Sequence, residues 1–235
     1  MILGLLGDVH AEDERLAAAL GVFRRERVER VLFVGDVVDG LGDVDRCCAL
    51  LAAVEALGVC GNHERWLLRD EVRSLAHAHL RRDLSPGSLS LIESLPPTRD
   101  IETPLGRLLL CHGVGDDDMV RLRDGDDGYA LRSNEALAAL LAAGRYALAV
   151  GGHTHERMVR RIDARDAGAP GSASIVFINP GTLARDATPC AAILDCAARE
   201  VRYVELEDPA RPTPGETVAL GAAREWDACH PARWK

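Results

Sequence analysis

Short apolar runs alternate with longer amphipathic segments over the first two thirds of the chain. The runs predict strands at residues 2–6, 31–34, 59–60, 107–111 and 146–150. Segments with apolar residues three or four positions apart predict helices at 11–27, 44–57, 64–80, 89–95 and 134–143. Gly58 closes the second helix, and Pro96-Pro97 stops the fourth. This alternation indicates an α/β fold.

The pattern changes after residue 155, where helices become scarce. Strands are predicted at 157–162, 174–178, 190–194 and 200–207, with a turn rich in Gly, Ala and Pro at 163–172. Residues 113–128, rich in Gly and Asp, predict a loop. From residue 208 onward several prolines and no clear period indicate a tail. We therefore expect one α/β domain over residues 1–207 and a C-terminal tail over residues 208–235.

Six short polar signatures lie mostly just after predicted strands. They are Gly7-Asp8-Val9-His10, Gly35-Asp36-Val37-Val38-Asp39-Gly40, Gly61-Asn62-His63-Glu64, Cys111-His112-Gly113, Gly152-His153-Thr154-His155 and Asn179-Pro180-Gly181. Five of the eight histidines fall inside them. Carboxylate, imidazole and amide ligands together suit Mn, Fe, Zn, Co or Ni rather than Ca or Mg. The signatures therefore indicate a two-metal hydrolase.

Composition narrows the class of protein. The net charge of −9 argues against a broad nucleic-acid-binding surface. No stretch of eighteen apolar residues predicts a transmembrane helix, and residues 1–6 are too short for a secretory signal, so no membrane partner is expected. Seven cysteines without a Cys-x-x-Cys pair suggest reduced thiols and a cytoplasmic location.

Two expected metal ions would leave the site with a net positive charge. Asp36 is the natural bridge between two ions, because a carboxylate can bind both. Two divalent ions bring about +4, and Asp8 and Asp36 return only −2. The remaining positive charge favours a small phosphate ester as substrate.

The ordered set of the first five signatures resembles the calcineurin-like metallophosphoesterase superfamily, over residues from about 2 to 206. Within it, His153-x-His155 and Asn179-Pro180-Gly181 are most similar to the small bacterial and archaeal phosphodiesterases. The resemblance implies a four-layer α-β-β-α sandwich, in which two mixed β-sheets are flanked by helices.

The resemblance also implies roles for individual residues. Two divalent transition-metal ions are expected, with Mn ahead of Fe, Ni, Co or Zn. The first ion would be held by Asp8, His10, Asp36 and His155, and the second by Asp36, Asn62, His112 and His153. His63 would be the catalytic acid, oriented by Asp39, and Asn62 and His63 would contact the phosphoryl group. The expected reaction is in-line attack on phosphorus by a metal-bridging hydroxide, with His63 protonating the leaving oxygen.

One departure from the family pattern bears on the substrate. Protein serine/threonine phosphatases and diadenosine tetraphosphatases of the superfamily usually place an arginine right after the second Asp, where it clamps a monoester dianion. This chain has Gly40 and Leu41 there, which favours a diester. Arg65 or Arg185 would be substitutes. A protein phosphatase, a dinucleoside polyphosphate hydrolase and a non-catalytic scaffold on the same fold stay as alternatives.

Other polar residues receive structural interpretations. Glu64 is expected to be a first-turn helix residue, and His77 and His79 to have no function. The acidic residues between 116 and 127 predict a solvated loop, with a specificity lid as the alternative. Asn179-Pro180-Gly181 predicts a supporting turn.

Overall fold

Two mixed β-sheets form the centre of the protein in the computed structural model, which describes residues 1–221. The strands over this range are β1 Ile2–Leu6, β2 Arg30–Phe33, β3 Leu57–Gly58, β4 Arg99–Thr103, β5 Gly106–Leu110, β6 Leu148–Val150, β7 Met158–Asp163, β8 Ser174–Asn179, β9 Cys190–Asp195, β10 Glu200–Glu205 and β11 Thr213–Ala219. The six-stranded sheet has the order β11-β10-β9-β1-β2-β3, and the five-stranded sheet has the order β4-β5-β6-β8-β7. Strands β1, β2 and β3 are parallel, as are β5, β6 and β8.

The two sheets pack face to face through alternating side chains of their strands. In β1, Leu3 and Leu5 join the core between the sheets, whereas Leu6 joins the core on the outer face. In β8, Ile178 lies in the inner core and Phe177 in the outer core of the second sheet. Both faces of each sheet are thus apolar, which explains why the central strands read as continuous apolar runs.

Helices cover the outer faces of both sheets. They are α1 Asp13–Arg25, α2 Val44–Ala53, α3 Asn62–Arg69, α4 Pro86–Glu93, α5 Gly128–Arg132 and α6 Glu135–Ala143, with a short 3₁₀ turn at Arg81–Asp83. Apolar residues of α1, α2 and α4 pack on the six-stranded sheet, and those of α5 and α6 pack on the five-stranded sheet. The expected four-layer α-β-β-α sandwich is therefore confirmed.

Two helices end four or more residues earlier than the sequence indicated. The helix predicted at 64–80 begins at Asn62 and ends at Arg69, because Asp70 adopts a left-handed conformation with φ 56°. The helix predicted at 44–57 ends at Ala53, and its last predicted residue belongs instead to β3. The segment after Asp70 runs as an irregular loop, and it becomes important at the candidate site.

Two edge strands were not expected. Strand β4 pairs antiparallel with β5, and β11 pairs antiparallel with β10. The prediction of a tail from residue 208 is therefore wrong for residues 213–219, while residues 222–235 of the predicted tail lie outside the described part. Pro214 and Gly215 obscure β11 in the sequence, and an edge strand tolerates both. Within residues 1–221, no helix has the length and apolar character needed to span a membrane.

Candidate metal centre

The candidate residues are delivered by loops at the carboxyl ends of neighbouring strands. Asp8 and His10 follow β1, and Asp36 and Asp39 follow β2. Asn62 and His63 follow β3 and begin helix α3. In the second sheet, His112 follows β5, and His153 and His155 follow β6. Since parallel strands present their carboxyl ends on one edge, these loops meet where open α/β sheets place their sites.

Asp8, His10 and His155 form one compact group. Their ligand atoms lie within 4.8 Å of one another. The Asp8 Oδ2 atom lies 3.2 Å from His155 Nε2, and the Nε2 atoms of His10 and His155 are 3.1 Å apart. Two imidazole nitrogens and a buried carboxylate oxygen facing one point are a suitable donor set for a transition-metal ion.

Asp36, His112 and His153 form a second group of the same kind. Asp36 Oδ2 lies 3.3 Å from His112 Nε2, and His112 Nε2 lies 2.9 Å from Asn62 Oδ1. Asp36 Oδ2 also lies 4.0 Å from His10 Nε2. Asp36 therefore stands between the two groups, where one carboxylate can serve both.

Two ring nitrogens are already oriented for metal binding. His10 Nδ1 lies 2.9 Å from the carbonyl oxygen of Asp39, and His112 Nδ1 lies 2.8 Å from that of Val34. A carbonyl oxygen only accepts, so each Nδ1 carries the proton and donates it. The lone pair of each Nε2 is then directed towards the centre, as in metal-binding histidines.

His153 supplies a more specific observation. Its Nε2 atom is buried and has no hydrogen-bond partner among the described residues. A buried polar atom without a partner costs free energy, and it is retained where it has another role. Its ring packs against His112 at 5.3 Å between centroids. The unpartnered nitrogen and the surrounding donor set both fit a metal ion.

The backbone of the site lies in a conformation that side chains disfavour. Positive φ angles occur at His10 (46°), Asp36 (49°), Asp39 (63°), His153 (66°) and His155 (60°). Left-handed conformations outside glycine are uncommon and cost free energy, and they concentrate at functional sites. The loops thus adopt a costly backbone conformation in which the donor atoms lie close together.

Glycines in the signatures leave space for the carboxylates. A Cβ atom on Gly61 would collide with Asp36 Oδ1, and one on Gly152 would collide with Asp8 Oδ1. Each glycine therefore allows a neighbouring backbone to approach a carboxylate that the two-group arrangement needs.

Charge in the centre is concentrated on buried groups. Burial raises the pKa of Asp36, but the positive charge of His112 and the hydrogen bond to it outweigh burial and lower the pKa. Burial lowers the pKa of His112, but the charge of Asp36 outweighs it and raises the pKa to about 10. In the metal-free protein the two residues form an ion pair, and a metal cation would take the place of the imidazolium proton.

His63 pairs with Asp39, and it also lies with His10 and Asp36 in a third group that could hold a metal ion. His63 Nδ1 donates to Asp39 Oδ2 at 2.8 Å, and His63 Nε2 lies 3.9 Å from Asp36 Oδ2. Burial lowers the pKa of His63, but the hydrogen bond to Asp39 and the charge of Asp36 outweigh it and raise the pKa. An imidazole that retains its proton, and is held with Nε2 towards the centre, is suited to act as an acid.

The sequence did not indicate the contacts that three residues make at the site. Glu64 is fully buried and accepts four backbone N–H groups, from Asp36, Val37, Val38 and Gly61. Its expected role in the first turn of a helix is therefore only part of its function. Arg73 and His79 both contact Asp39, so both lie at the site, where the sequence did not place them.

The candidate substitute arginines are engaged elsewhere. Arg65 donates to both carboxylate oxygens of Asp118, at 2.6 and 2.9 Å. Arg185 donates to both oxygens of Glu12, at 2.6 and 3.1 Å. The first pair fixes the acidic loop to the helix that carries His63. Each guanidinium group thus forms a bidentate pair with a carboxylate of the protein.

The predicted supporting turn is observed beneath the histidine loop. Asn179 Nδ2 donates to the carbonyl oxygen of Gly152 at 3.1 Å and to Thr154 Oγ1 at 3.0 Å. Asn179 Oδ1 accepts from Gly181 N at 2.9 Å. One side chain thereby connects the turn to the loop that carries His153 and His155.

Solved structures with the same architecture include several phosphoesterases. The metallophosphoesterase from Sphaerobacter thermophilus is 23% identical, with TM-score 0.65 and 86% of each chain covered. A novel archaeal phosphodiesterase is 20% identical, with TM-score 0.56, over 87% of this chain and 99% of that chain. YfcE, a phosphoesterase from E. coli, is 18% identical, with TM-score 0.54, over 94% of this chain and all of that chain. At these identities the likeness shows the fold.

The family is shown by the sequence match. No curated protein matches the chain in sequence. The family model described as calcineurin-like phosphoesterase superfamily domain matches residues 1–199, which is most of the chain. That match, the two-sheet sandwich and the Asp/His centre agree with one another, and the protein belongs to the calcineurin-like phosphoesterase superfamily, whose members hydrolyse phosphate esters.

Proposed function

We propose that the protein is a phosphodiesterase that depends on two metal ions. Two observations carry the proposal. Asp36 belongs to one donor group and also lies close to the other, and the buried Nε2 of His153 has no partner among the described residues. Asp8, His10, Asp36 and His155 would hold the first ion, and Asp36, Asn62, His112 and His153 would hold the second. This assignment shares only Asp36 between the two ions, and it leaves His63, which lies in a third possible group with His10 and Asp36, as the acid.

The ions would bind the phosphoryl oxygens and generate a nucleophile from water near neutral pH. The protein's own part is to place acids and donors around the ester. His63 would carry a proton on Nε2, the nitrogen that faces the centre, and would give it to the leaving oxygen. Asp39 keeps the His63 ring in one orientation through the 2.8 Å hydrogen bond at Nδ1.

A diester is favoured over a monoester because the two arginines expected to replace the missing clamp are paired with carboxylates of the protein. Gly40 and Leu41 stand where related phosphatases carry that arginine. Arg65 and Arg185 are paired with Asp118 and Glu12. A diester carries one negative charge at phosphorus and needs less neutralisation. The archaeal neighbour described as a phosphodiesterase agrees with this choice.

Mn²⁺ is the proposed metal, with Fe, Ni, Co and Zn as alternatives. The donor set combines carboxylate oxygens and an amide oxygen, which suit Mn²⁺, with imidazoles, which suit the later metals. A cytoplasmic location is proposed from the cysteines. Six of them are free within the described residues, and five of the six are buried.

A metal and substrate panel tests the proposed function. Metal-free protein is reloaded with Mn, Ni, Co or Zn, and hydrolysis of bis-(p-nitrophenyl) phosphate is compared with that of p-nitrophenyl phosphate. The proposal expects metal-dependent turnover with the diester preferred in kcat/KM. Preference for the monoester would support a phosphatase, and cleavage of dinucleoside polyphosphates alone would support that hydrolase class. Absence of turnover on every substrate with every metal would support a non-catalytic scaffold.

A further inference from the structure

Asp39, the partner of the proposed acid, is held mainly by residues other than His63. Its Oδ2 accepts from His63 Nδ1 at 2.8 Å and from Arg73 Nη2 at 3.0 Å. Its Oδ1 accepts from Arg73 Nη1 at 3.0 Å and from the backbone N–H of His79 at 2.8 Å. Three of these four hydrogen bonds come from the loop after α3. The orientation of the carboxylate is therefore set from that loop.

Arg73 is directed entirely at Asp39 and its own loop. Its two Nη atoms form a planar fork on the carboxylate, which fixes the carboxylate in position and in plane. Nη1 also donates to the carbonyl oxygen of His79, and Nε donates to that of Glu71. The side chain is only 10% exposed. Arg73 therefore acts through Asp39 and is not placed to bind a substrate phosphate.

The loop that delivers Arg73 is strained. Asp70, Val72 and His77 have φ angles of 56°, 52° and 59°. A positive φ is a genuine outlier for a β-branched residue such as Val72. The side chain of Val72 is 45% exposed, so burial does not offset the strain. The contact that this bend makes possible is the fork of Arg73 on Asp39.

The imidazole of His79 also binds the backbone of Asp39. The backbone N–H of Asp39 donates to His79 Nδ1 at 2.9 Å. Nδ1 must therefore be the accepting nitrogen of that ring. Asp39 itself has a φ of 63°, so this hydrogen bond supports a residue whose backbone is also strained.

We propose that Arg73, together with His79, is a positioning residue for the leaving-group acid His63. The inference rests on the proposed function, since it concerns the step in which His63 protonates the leaving oxygen. Neither residue touches the reacting atoms. The fork of Arg73 fixes Asp39, Asp39 fixes the His63 ring through Nδ1, and Nε2 then faces the centre, 3.9 Å from Asp36 Oδ2.

A leaving-group comparison tests the proposal. The substrates are methyl p-nitrophenyl phosphate and methyl phenyl phosphate, which differ only in the leaving phenol, and the enzyme is loaded with Mn²⁺. The poorer phenol leaving group needs a proton from His63 more than nitrophenol does. Arg73→Ala should lower kcat/KM for the phenyl ester about 10–100-fold, a part of the roughly 10²–10⁴-fold that a general acid contributes. The loss on the nitrophenyl ester should be much smaller.

The ratio of the two kcat/KM values is the decisive readout. Both are measured on one preparation, so the fraction of folded protein cancels. Arg73→Lys keeps the charge but not the fork, and should give an intermediate ratio. Arg82→Ala, which removes an arginine side chain that is 81% exposed, should leave the ratio unchanged. Equal losses on both esters in Arg73→Ala would overturn the proposal.

His63→Ala separates this proposal from the proposed function. If His63→Ala shifts the ratio and Arg73→Ala does not, the positioning role is wrong and the acid stands. If His63→Ala leaves the ratio unchanged, the assignment of the acid is itself wrong. A second readout uses metal-free protein, in which the His63 Nδ1–H proton should give a downfield NMR signal. Arg73→Ala should weaken or shift that signal, and an unchanged signal would contradict the proposal.

Discussion

The Glu64 carboxylate accepts the backbone N–H of Asp36 at 2.6 Å, which fixes the backbone of the central residue of the candidate metal centre. The same oxygen accepts from Gly61 N at 2.9 Å. The second oxygen accepts from Val37 N at 2.6 Å and from Val38 N at 3.1 Å. One buried side chain at the start of α3 therefore organises the loop that follows β2.

Glu64→Gln should destabilise the protein although the two side chains have nearly the same shape. An amide replaces one oxygen with an NH₂ group, which faces two N–H donors and cannot accept from them. Each buried donor left without an acceptor costs about 1–3 kcal/mol. The free energy of unfolding, measured by urea denaturation, should fall accordingly. The exposed Glu71→Gln is the control, and equal stability of both variants would refute the role of Glu64.

His153→Ala should weaken metal binding without weakening the metal-free fold. Its Nε2 has no partner among the described residues, so the metal-free protein loses no hydrogen bond there. A ten-fold weaker Kd removes about 1.4 kcal/mol of the stabilisation that saturating metal provides. The measurement is the rise in Tm on adding Mn²⁺. His77→Ala, at an exposed position, should keep the full rise, and a full rise in His153→Ala would exclude His153 as a ligand.

His63→Ala should reduce turnover while the bound metal is retained. A general acid contributes about 10²–10⁴-fold to the rate, so kcat for a diester should fall by that factor. Metal content measured beside kcat separates the two effects. Asp36→Ala is the comparison, because it should lose both metal and activity. Unchanged kcat in His63→Ala would rule out the acid.

The Asp39 contacts should make stability sensitive to acid. Burial raises the pKa of Asp39, but hydrogen bonds from His63, Arg73 and His79 outweigh it and hold the pKa below 3.8. The unfolded chain therefore takes up this proton first, and the stabilisation is complete above pH 3.8 and is lost as the pH falls through the folded pKa. In metal-free protein, Asp39→Asn should be less stable than the wild type near pH 6.

The same difference should shrink at lower pH. Unfolding free energies of the two proteins are compared at several pH values between 6 and 3. Asp70→Asn, which removes an exposed carboxylate, serves as the control. A difference between wild type and Asp39→Asn that stays constant over this range would show that the carboxylate charge is not what the contacts stabilise.

The fold and the centre were predictable where local pattern and chemistry coincide. Central strands are apolar on both faces, so their runs stand out, and the donor residues come directly after them. The residues that stabilise Asp39 give no such local signal. Arg73 and His79 lie 34 and 40 positions from Asp39, in a segment whose apolar spacing resembles a helix. Left-handed Asp70 ends that helix, and an aspartate in the sequence does not reveal its φ angle.

Edge strands were the other failure, and the reason is physical. An edge strand makes hydrogen bonds on one side only and buries little surface, so it needs no apolar alternation. Strand β11 is exposed at five of its seven positions and contains Pro214 and Gly215. Its place is fixed by pairing with β10 rather than by its own sequence.

The number of metal ions that the active protein holds tests the two-metal phosphodiesterase most directly. Metal-free protein is titrated with Mn²⁺ while hydrolysis of bis-(p-nitrophenyl) phosphate and bound metal are followed in the same samples. Activity should rise with binding and reach its plateau at two equivalents per chain, because Asp36 stands between two donor groups. Full activity at one equivalent, or diester hydrolysis without bound metal, would contradict a centre that works with two ions.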